Sequence, residues 1–407
     1  MRTRPLVAGL VTALVGSTSS FAVVLAGLRA VGASPAQAAS GLLVLFLTMG
    51  LGTALLAVRT RLPVTLAWST PGSALLVGTG AVVGGWPAAI GAFLVSGLLI
   101  CLTAAWPGLG RLIGRIPTPL AQAMLAGVLV PLCLAPVRAA VSTPLLTLPV
   151  IVVWLVLQRL APRWATPAAF ALALVVVGLE VALRPGAAPA VTLLPHPVWT
   201  TPSFALGAVI GVALPLYVVT MAAQNVPGVA VLASYGYRTP WRPSMAVTGV
   251  GTLLGAPFGG HAINLAAITA ALSASPEADP DPAERWRAAR TAGLTYVVLG
   301  LLSPALVGLI TTGPEGPVEA AAGLGLLPVL AGALTAALDP PPSAPPLAGV
   351  PAPVTVLDRI PSALTFLVAA GGSTVLGIGP AFWALVTGLV AWALLRARRR
   401  PQTPSAA

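Results

Sequence analysis

Two interrupted apolar runs hold the residues whose types and spacing can do chemistry. One reads Pro63-Val-Thr-Leu-Ala-Trp68-Ser69-Thr70-Pro71-Gly-Ser73-Ala-Leu-Leu-Val77. The other reads Pro257-Phe258-Gly-Gly-His261-Ala-Ile-Asn264-Leu-Ala-Ala-Ile-Thr269-Ala-Ala-Leu272. In the first, Val64 to Trp68 is β-prone and extended beside prolines. Ser69 or Thr70 can cap a helix that begins at Pro71, because proline suits the first helical position. In the second, glycines break the backbone, Asn264 can cap, and a short helix follows. Each construction presents a helix N-terminus, with free N–H groups and the positive dipole end. That is an anion site made without a charged side chain. The competing reading is two Pro/Gly kinks packed inside a bundle; two breaks with polar caps favour the site.

The individual side chains carry alternatives of their own. Histidine as a residue type titrates near neutral pH, so His261 suits a proton carrier or a direct ligand, or else a neutral, hydrogen-bonded core residue. Gln224 and Asn225 close a polar stretch, Thr220-Met-Ala-Ala-Gln-Asn225, and either contact a substrate or act as polar glue between helices. Trp68 can stack on an aromatic ligand or fill space. The carboxylates lie away from these breaks: Glu180, Glu319 and Asp358 are near segment ends. Glu277, Asp279, Asp281 and Glu284 share one loop with Arg285, Arg287 and Arg290, a solvated ion-pair cluster or a gate latch. Cys101 and Cys133 sit in apolar runs without metal-like spacing and read as small buried hydrophobes. The pattern offers no catalytic carboxylate pair, metal site or cofactor site, and therefore no enzyme. An ion channel lacks its ring of charged pore residues.

The elements that must position these residues follow from composition. Of 407 residues, 57% are apolar and 7% charged, too few polar groups to cover a soluble protein of this size. Lipid is then the solvent, and a spanning chain must be helical or a closed barrel. The apolar runs are continuous, about 17–25 residues long, and not the alternating pattern of barrel strands. The expectation is an all-α polytopic membrane protein with about fourteen segments: 6–31, 39–58, 65–80, 86–106, 118–136, 144–159, 165–183, 203–223, 243–257, 261–273, 290–311, 317–338, 361–377 and 379–396. Segments 65–80 and 261–273 are short for a full crossing.

The formal charge of +12 comes with 21 arginines and no lysine. They gather at segment ends, and no soluble domain carries a basic patch, so nucleic acid is not a partner. With both termini cytoplasmic, eighteen arginines fall inside and three (Arg29, Arg138, Arg184) outside, as the positive-inside rule requires. Arg2 and Arg4, an apolar run and Ala36-Gln37-Ala38 imitate a secretory signal, but the run is long and broken by Gly16-Ser-Thr-Ser-Ser20; it reads as a retained first span. Residues 184–202 form a Pro-rich external loop containing His196, and 339–360 a stiff cytoplasmic linker.

The chain divides near residue 190 into halves of seven spans, which would be oppositely oriented inverted repeats. The first span of each half has a polar dent, and the third of each is interrupted. The expected domains are 1–190, with a core at 1–116 and a gate at 117–190, and 191–407, with a core at 201–312, a gate at 313–397 and a cytoplasmic tail at 398–407.

At these segments the chain resembles the benzoate:proton symporter (BenE) family, over nearly its whole length. The stretches that carry the resemblance are Ala67 to Val77, Pro215-Leu-Tyr217-Val-Val-Thr-Met-Ala-Ala-Gln-Asn-Val-Pro-Gly228 and Pro257 to Ala271. Ser275-Pro-Glu-Ala-Asp279 and Gly377-Ile-Gly-Pro-Ala-Phe-Trp383 add to it. That family is distantly similar to the uracil:proton symporter fold. The resemblance implies seven-plus-seven inverted repeats, with spans one to four and eight to eleven as core and five to seven and twelve to fourteen as gate. It also implies a substrate between spans three and ten, whose short extended pieces meet at mid-membrane. Nucleobase relatives carry acidic residues where this chain has Gln224 and Asn264, a departure that suits an anionic cargo.

The expected function is proton-coupled uptake of benzoate or a similar aromatic carboxylate by alternating access, in a bacterial inner membrane. Ser69, Thr70, Ser73 and Asn264 would hold the carboxylate, Gln224 and Asn225 would flank it, and Trp68, Tyr217 or Phe258 would face the ring. The proton would travel on the substrate or on His261. No cofactor or metal is expected, and a homodimer is compatible with the chain. The alternative keeps the fold and changes the cargo to a nucleobase, sulfate or dicarboxylate.

Overall fold

The computed structural model describes residues 3–106, 108–109, 116–183, 196–267, 269–339, 356–376 and 378–397. Most of the Pro-rich linker, the loop at 184–195, the tail and the arginines at 2, 111, 115, 184 and 398–400 lie outside them. The helices are α1 (Thr3–Thr18), α2 (Phe21–Ala30), α3 (Pro35–Thr60), α4 (Thr70–Thr79), α5 (Gly85–Ala105), α6 (Thr118–Cys133), α7 (Ala135–Ser142), α8 (Pro144–Leu160) and α9 (Pro162–Leu183). After these come α10 (Leu206–Ser234), α11 (Trp241–Gly255), α12 (Ala270–Ala274), α13 (Trp286–Thr312), α14 (Pro317–Leu338), α15 (Val356–Ala370) and α16 (Pro380–Ala397). Two three-residue strands, β1 (Leu66–Trp68) and β2 (Ile263–Leu265), precede α4 and α12. Each of the fourteen expected segments has a helical or strand-plus-helix counterpart. Among the described residues, eight helical stretches are long and apolar enough to cross a membrane.

The first polar dent is a true break: α1 ends at Thr18, and α2 restarts at Phe21. The second is not. The segment expected to end at residue 223, with Gln224 and Asn225 at its end, runs on to Ser234. Its irregularity is taken up by two π-turns, Val209–Ala213 and Met221–Asn225. Each π-turn ends two residues before a proline (Pro215 and Pro227). Proline has no amide for the carbonyl four residues earlier, and its ring crowds that carbonyl, so the backbone widens rather than stops.

Packing pairs distant parts of the chain. Among the most extensive helix contacts are α3 along α13 and α11 along α5. In the fourteen-segment numbering these are spans 2 with 11 and 9 with 4; matching each of the first seven spans to the one seven later exchanges the two pairs. The α3–α13 approach is close because both helices present glycine. A Cβ at Gly50 would stand 2.7 Å from the Gly293 carbonyl oxygen, and one at Gly293 2.6 Å from that of Gly50. In lipid, where apolar side chains gain nothing by leaving solvent, such small-residue contacts let helices associate.

Candidate functional site

The two strands pair antiparallel deep in the bundle, with Leu66 opposite Leu265, Ala67 opposite Asn264 and Trp68 opposite Ile263. The Ser69 amide donates to the Ala262 carbonyl and the Ala266 amide to that of Thr65, both at 2.9 Å, which extends the ladder by one bond at each end. A ribbon this short would leave unpaired amides in a medium without water, each costing several kcal/mol. Neighbouring helices supply the partners. Thr53 of α3 accepts from the Leu66 amide at 2.9 Å, Thr252 of α11 from Ile263 at 3.1 Å, and Asn225 of α10 from Leu265 at 2.8 Å.

At the end of β1 the chain enters α4 as its sequence anticipates. Ser69 is the N-cap, its Oγ accepting from the Gly72 amide at 3.1 Å, and Pro71 occupies the first turn. The Ser73 amide donates to the Ser69 carbonyl, and proline has no N–H, so the Thr70 amide is the first-turn donor that the cap leaves. Thr220 of α10 shares a hydrogen bond with Ser69 Oγ at 2.8 Å. Ser20, in the α1–α2 break, accepts from Trp68 Nε1 at 2.7 Å and from the Thr70 hydroxyl at 3.0 Å. The first and eighth spans therefore grip the same cap from two sides.

His261 is fully buried and meets Ser73 of α4 through Nε2 at 2.8 Å. Its Nδ1 faces the Ala262 carbonyl at 3.1 Å. A carbonyl only accepts, so Nδ1 carries the hydrogen and the neutral ring presents Nε2 as an acceptor. Ser73 then donates to it. Protonation at Nε2 reverses that bond, and the Ser73 hydroxyl turns to the Ser69 carbonyl, 3.2 Å away.

Seven of the ten expected site residues are brought to the ribbon or its cap: Trp68, Ser69, Thr70, Ser73, Asn225, His261 and Asn264. Their roles are not uniform. Trp68 is 2% exposed and packs edge-on against Phe46 with ring centroids 4.8 Å apart. Asn225 is fully buried, with Nδ2 on Met221 Sδ and Oδ1 on β2. Asn264 does not cap a helix: it lies within β2, and the five-residue α12 begins at Ala270, with no side-chain hydrogen bond from its N-cap Thr269. A helix of that length offers little dipole, so only the α4 side provides a developed N-terminus. Asn264 Nδ2 donates to the Leu265 carbonyl, while Oδ1 is buried without a hydrogen-bond partner among the described residues, as is Thr65 Oγ1. Strand alternation puts Thr65, Ala67 and Asn264 on one face of the ribbon. Ala67, Thr70 and Ala267 keep partial exposure there. Gln224 is buried in the second π-turn.

Tyr217 and Phe258 lie elsewhere. The Tyr217 hydroxyl shares a hydrogen bond with Thr103 of α5. Phe258 packs edge-on against Trp199, centroids 5.4 Å apart, at the far end of the second break. Single-residue reasoning passed over Ser20, Thr53, Thr220 and Thr252. The polar dents signalled Ser20 and Thr220, whereas Thr53 and Thr252 are single threonines in apolar helices. The loop charges also divide differently from a solvated cluster. Arg285 is 5% exposed and donates to the backbone carbonyls of Ala274 and Asp279, while Glu277 reaches out to Arg163 of α9 at 3.2 Å.

A polytopic helical bundle with a strand ribbon closed onto a capped half-helix is the architecture of a membrane transporter, and comparison with known proteins agrees. The family model described as "Benzoate membrane transport protein" (BenE) matches residues 1–394. The chain belongs to that family and is a multi-pass membrane transporter, not an enzyme. It is 38% identical over 393 residues to the inner membrane protein YdcO of Escherichia coli (strain K12), covering 96% of this chain and 95% of that protein. It is 29% identical over 343 residues to the benzoate membrane transport protein of Acinetobacter baylyi, covering 84% and 82%. In fold it is similar to the transmembrane domain of a cyanobacterium bicarbonate transporter, BicA (TM-score 0.56, 13% identity, 97% of this chain and 98% of that one). The murine Solute Carrier 26 family member A9 anion transporter, inward-facing, gives a TM-score of 0.59 at 13% identity, covering 97% of this chain and 68% of that one.

Proposed function

We propose that the protein takes up benzoate or a similar aromatic carboxylate together with a proton, by alternating access across a bacterial inner membrane with both termini cytoplasmic. The observation that carries this reading is the capped N-terminus of α4 beside the β1–β2 ribbon, a positive-dipole site without a carboxylate, in a chain of this family. The cargo would sit between Thr70 and Asn264, within reach of Ser69 and Ser73. The dipole and the Thr70 amide favour the carboxylate. The unpartnered Asn264 Oδ1 accepts only, so it favours a cargo carrying its acid proton. His261, joined to the cap through Ser73, is the protein's own candidate carrier. The exchange of the α3–α13 and α5–α11 pairs supports two inverted repeats, with the first four spans of each moving against the last three. The arginine distribution and the inner-membrane relative support the location.

The test is uptake of labelled benzoate into proteoliposomes under an imposed inward proton gradient, with and without a protonophore. Uptake that a protonophore leaves unchanged refutes symport. The second reading, the same fold with a different small cargo, is favoured by fold relatives named as bicarbonate and anion transporters. Competition by sulfate, a dicarboxylate or uracil, with benzoate inert, would establish it.

A further inference from the structure

Away from the ribbon, two cavities lie end to end along α1 and α9, and one of them also reaches α13. The deeper one, about 370 Å³, is walled by Leu14 of α1, Phe21 of α2, Phe46 of α3, Phe170 of α9, and Leu299 and Leu306 of α13. The second, about 320 Å³, lies toward the start of α1 and is lined by Thr3, Arg4, Arg163, Leu272 and Glu277. Trp164 belongs to both. We infer that this pair of cavities is a lipid site: an acyl chain fills the apolar cavity and the anionic headgroup of the same phospholipid sits between Arg4 and Arg163.

Three observations select that occupant. First, the rim of the deep cavity belongs to the outer apolar surface. Leu302, between Leu299 and Leu306 on the same stripe of α13, is 55% exposed, and Leu10, one turn before Leu14, is 46% exposed. In a bilayer those positions face acyl chains, so a chain can slip sideways into the crevice. Second, the hydroxyls of this wall are already spent. Ser17 donates to the Ala13 carbonyl and Thr18 to the Leu14 carbonyl, both at 2.7 Å. A carboxylate there would lose its hydration without gaining donors, which disqualifies the aromatic cargo as a resident, whereas an acyl chain needs none. Third, the neighbouring cavity carries the charge that a phospholipid headgroup needs. Arg163 is shared with Glu277, but Arg4 has no ion-pair partner among the described residues, so the vestibule keeps a positive surplus. Basic pockets beside apolar slots at the membrane interface hold anionic headgroups, and the Trp164 ring at their junction suits that depth.

The site lies between α9 and the bundle of α1, α3 and α13, the two bodies that alternating access would displace. A bound lipid would therefore be a wedge between them.

The experiment is native mass spectrometry of the full-length protein extracted in mild detergent and supplied with phosphatidylglycerol or phosphatidylcholine of the same chains. The wild type is expected to retain one phosphatidylglycerol more strongly than phosphatidylcholine. Arg4→Gln should cut the preference for phosphatidylglycerol about fivefold, the worth of one basic residue near a lipid surface, and leave phosphatidylcholine retention unchanged. Ala171→Phe, at the exposed rim of the cavity, should lower retention of both lipids. Ala168→Phe should do so more strongly, with size-exclusion elution separating an occluded cavity from a misfolded chain. Retention indifferent to Ala171→Phe and Ala168→Phe in monodisperse protein overturns the proposal. So does displacement of the lipid by benzoate, which would assign the cavity to the cargo.

Discussion

Ser73 Oγ stands 2.8 Å from His261 Nε2 and 3.2 Å from the Ser69 carbonyl, so its single hydrogen has two destinations. With His261 neutral it goes to the ring, and with His261 protonated it goes to the carbonyl at the α4 cap. Protonation is thereby connected to the first turn of the half-helix. His261→Gln keeps a polar side chain that cannot titrate. If His261 carries the proton, this variant loses the pH dependence of benzoate uptake. If the proton rides on the substrate, the dependence survives. Ser73→Ala leaves Nε2 buried and unpartnered and should destabilise the protein by about 1–3 kcal/mol, measured by thermal unfolding in detergent.

The helix side chains that complete the ribbon give a paired prediction. Thr53→Val and Thr252→Val keep shape but strand the amides of Leu66 and Ile263. Each should cost about 1–3 kcal/mol, and the two costs should be similar because the two bonds occupy corresponding places. A normal melting temperature for either variant would show that its strand edge finds another partner.

Asn225 should behave as a strap rather than a contact residue. Asn225→Ala removes the acceptor for the Leu265 amide and should lower the melting temperature as much as it lowers uptake. Asn225→Asp retains an oxygen acceptor but buries a charge without an ion-pair partner, so its loss should be larger. A stable Asn225→Ala protein with a raised KM for benzoate would instead place this residue against the cargo.

Spans and breaks were readable from the residues because both have local causes: apolar run length, prolines, glycines and a serine positioned to cap. The cap at Ser69 and the extended stretch before it were found where expected. The ribbon's second strand was harder. Three residues are too few for an alternation pattern, and Asn264 followed by apolar residues imitates a helix start. In the sequence, the polar pair Gln224 and Asn225 ends two residues before Pro227 and resembles a span end. A π-turn absorbs the proline instead, and the helix continues for nine residues, Val226–Ser234. Thr53 and Thr252 left no local trace, since their role exists only after β1 and β2 have formed. Tyr217 and Phe258 are aromatic residues beside polar stretches, but their side chains meet Thr103 and Trp199 instead.

The Gly50–Gly293 contact predicts a steep size dependence. Gly50→Ala places a methyl 2.7 Å from the Gly293 carbonyl oxygen, so α3 and α13 must separate slightly, at a cost of about 1–3 kcal/mol. Gly50→Leu should prevent the helices from docking and abolish monodisperse protein on size exclusion.

Arg163 and Glu277 join α9 to the loop after α12 at 3.2 Å, with side chains 59% and 76% exposed. A pair so open to solvent is worth less than about 1 kcal/mol, so Glu277→Gln should leave the melting temperature almost unchanged. Its effect should appear in transport rate and in a weaker dependence of that rate on ionic strength. A large loss of stability would mean that Glu277 holds the loop itself.

The most direct test of the account is the counted exchange of protons and cargo in proteoliposomes. Adding benzoate to vesicles containing the protein should acidify the lumen and accumulate labelled benzoate with it. Protein-free vesicles set the background of passive acid permeation, and Thr70→Val should raise the KM above that of the wild type. Benzoate accumulation no greater than in protein-free vesicles, or protein-dependent accumulation without luminal acidification, would contradict it.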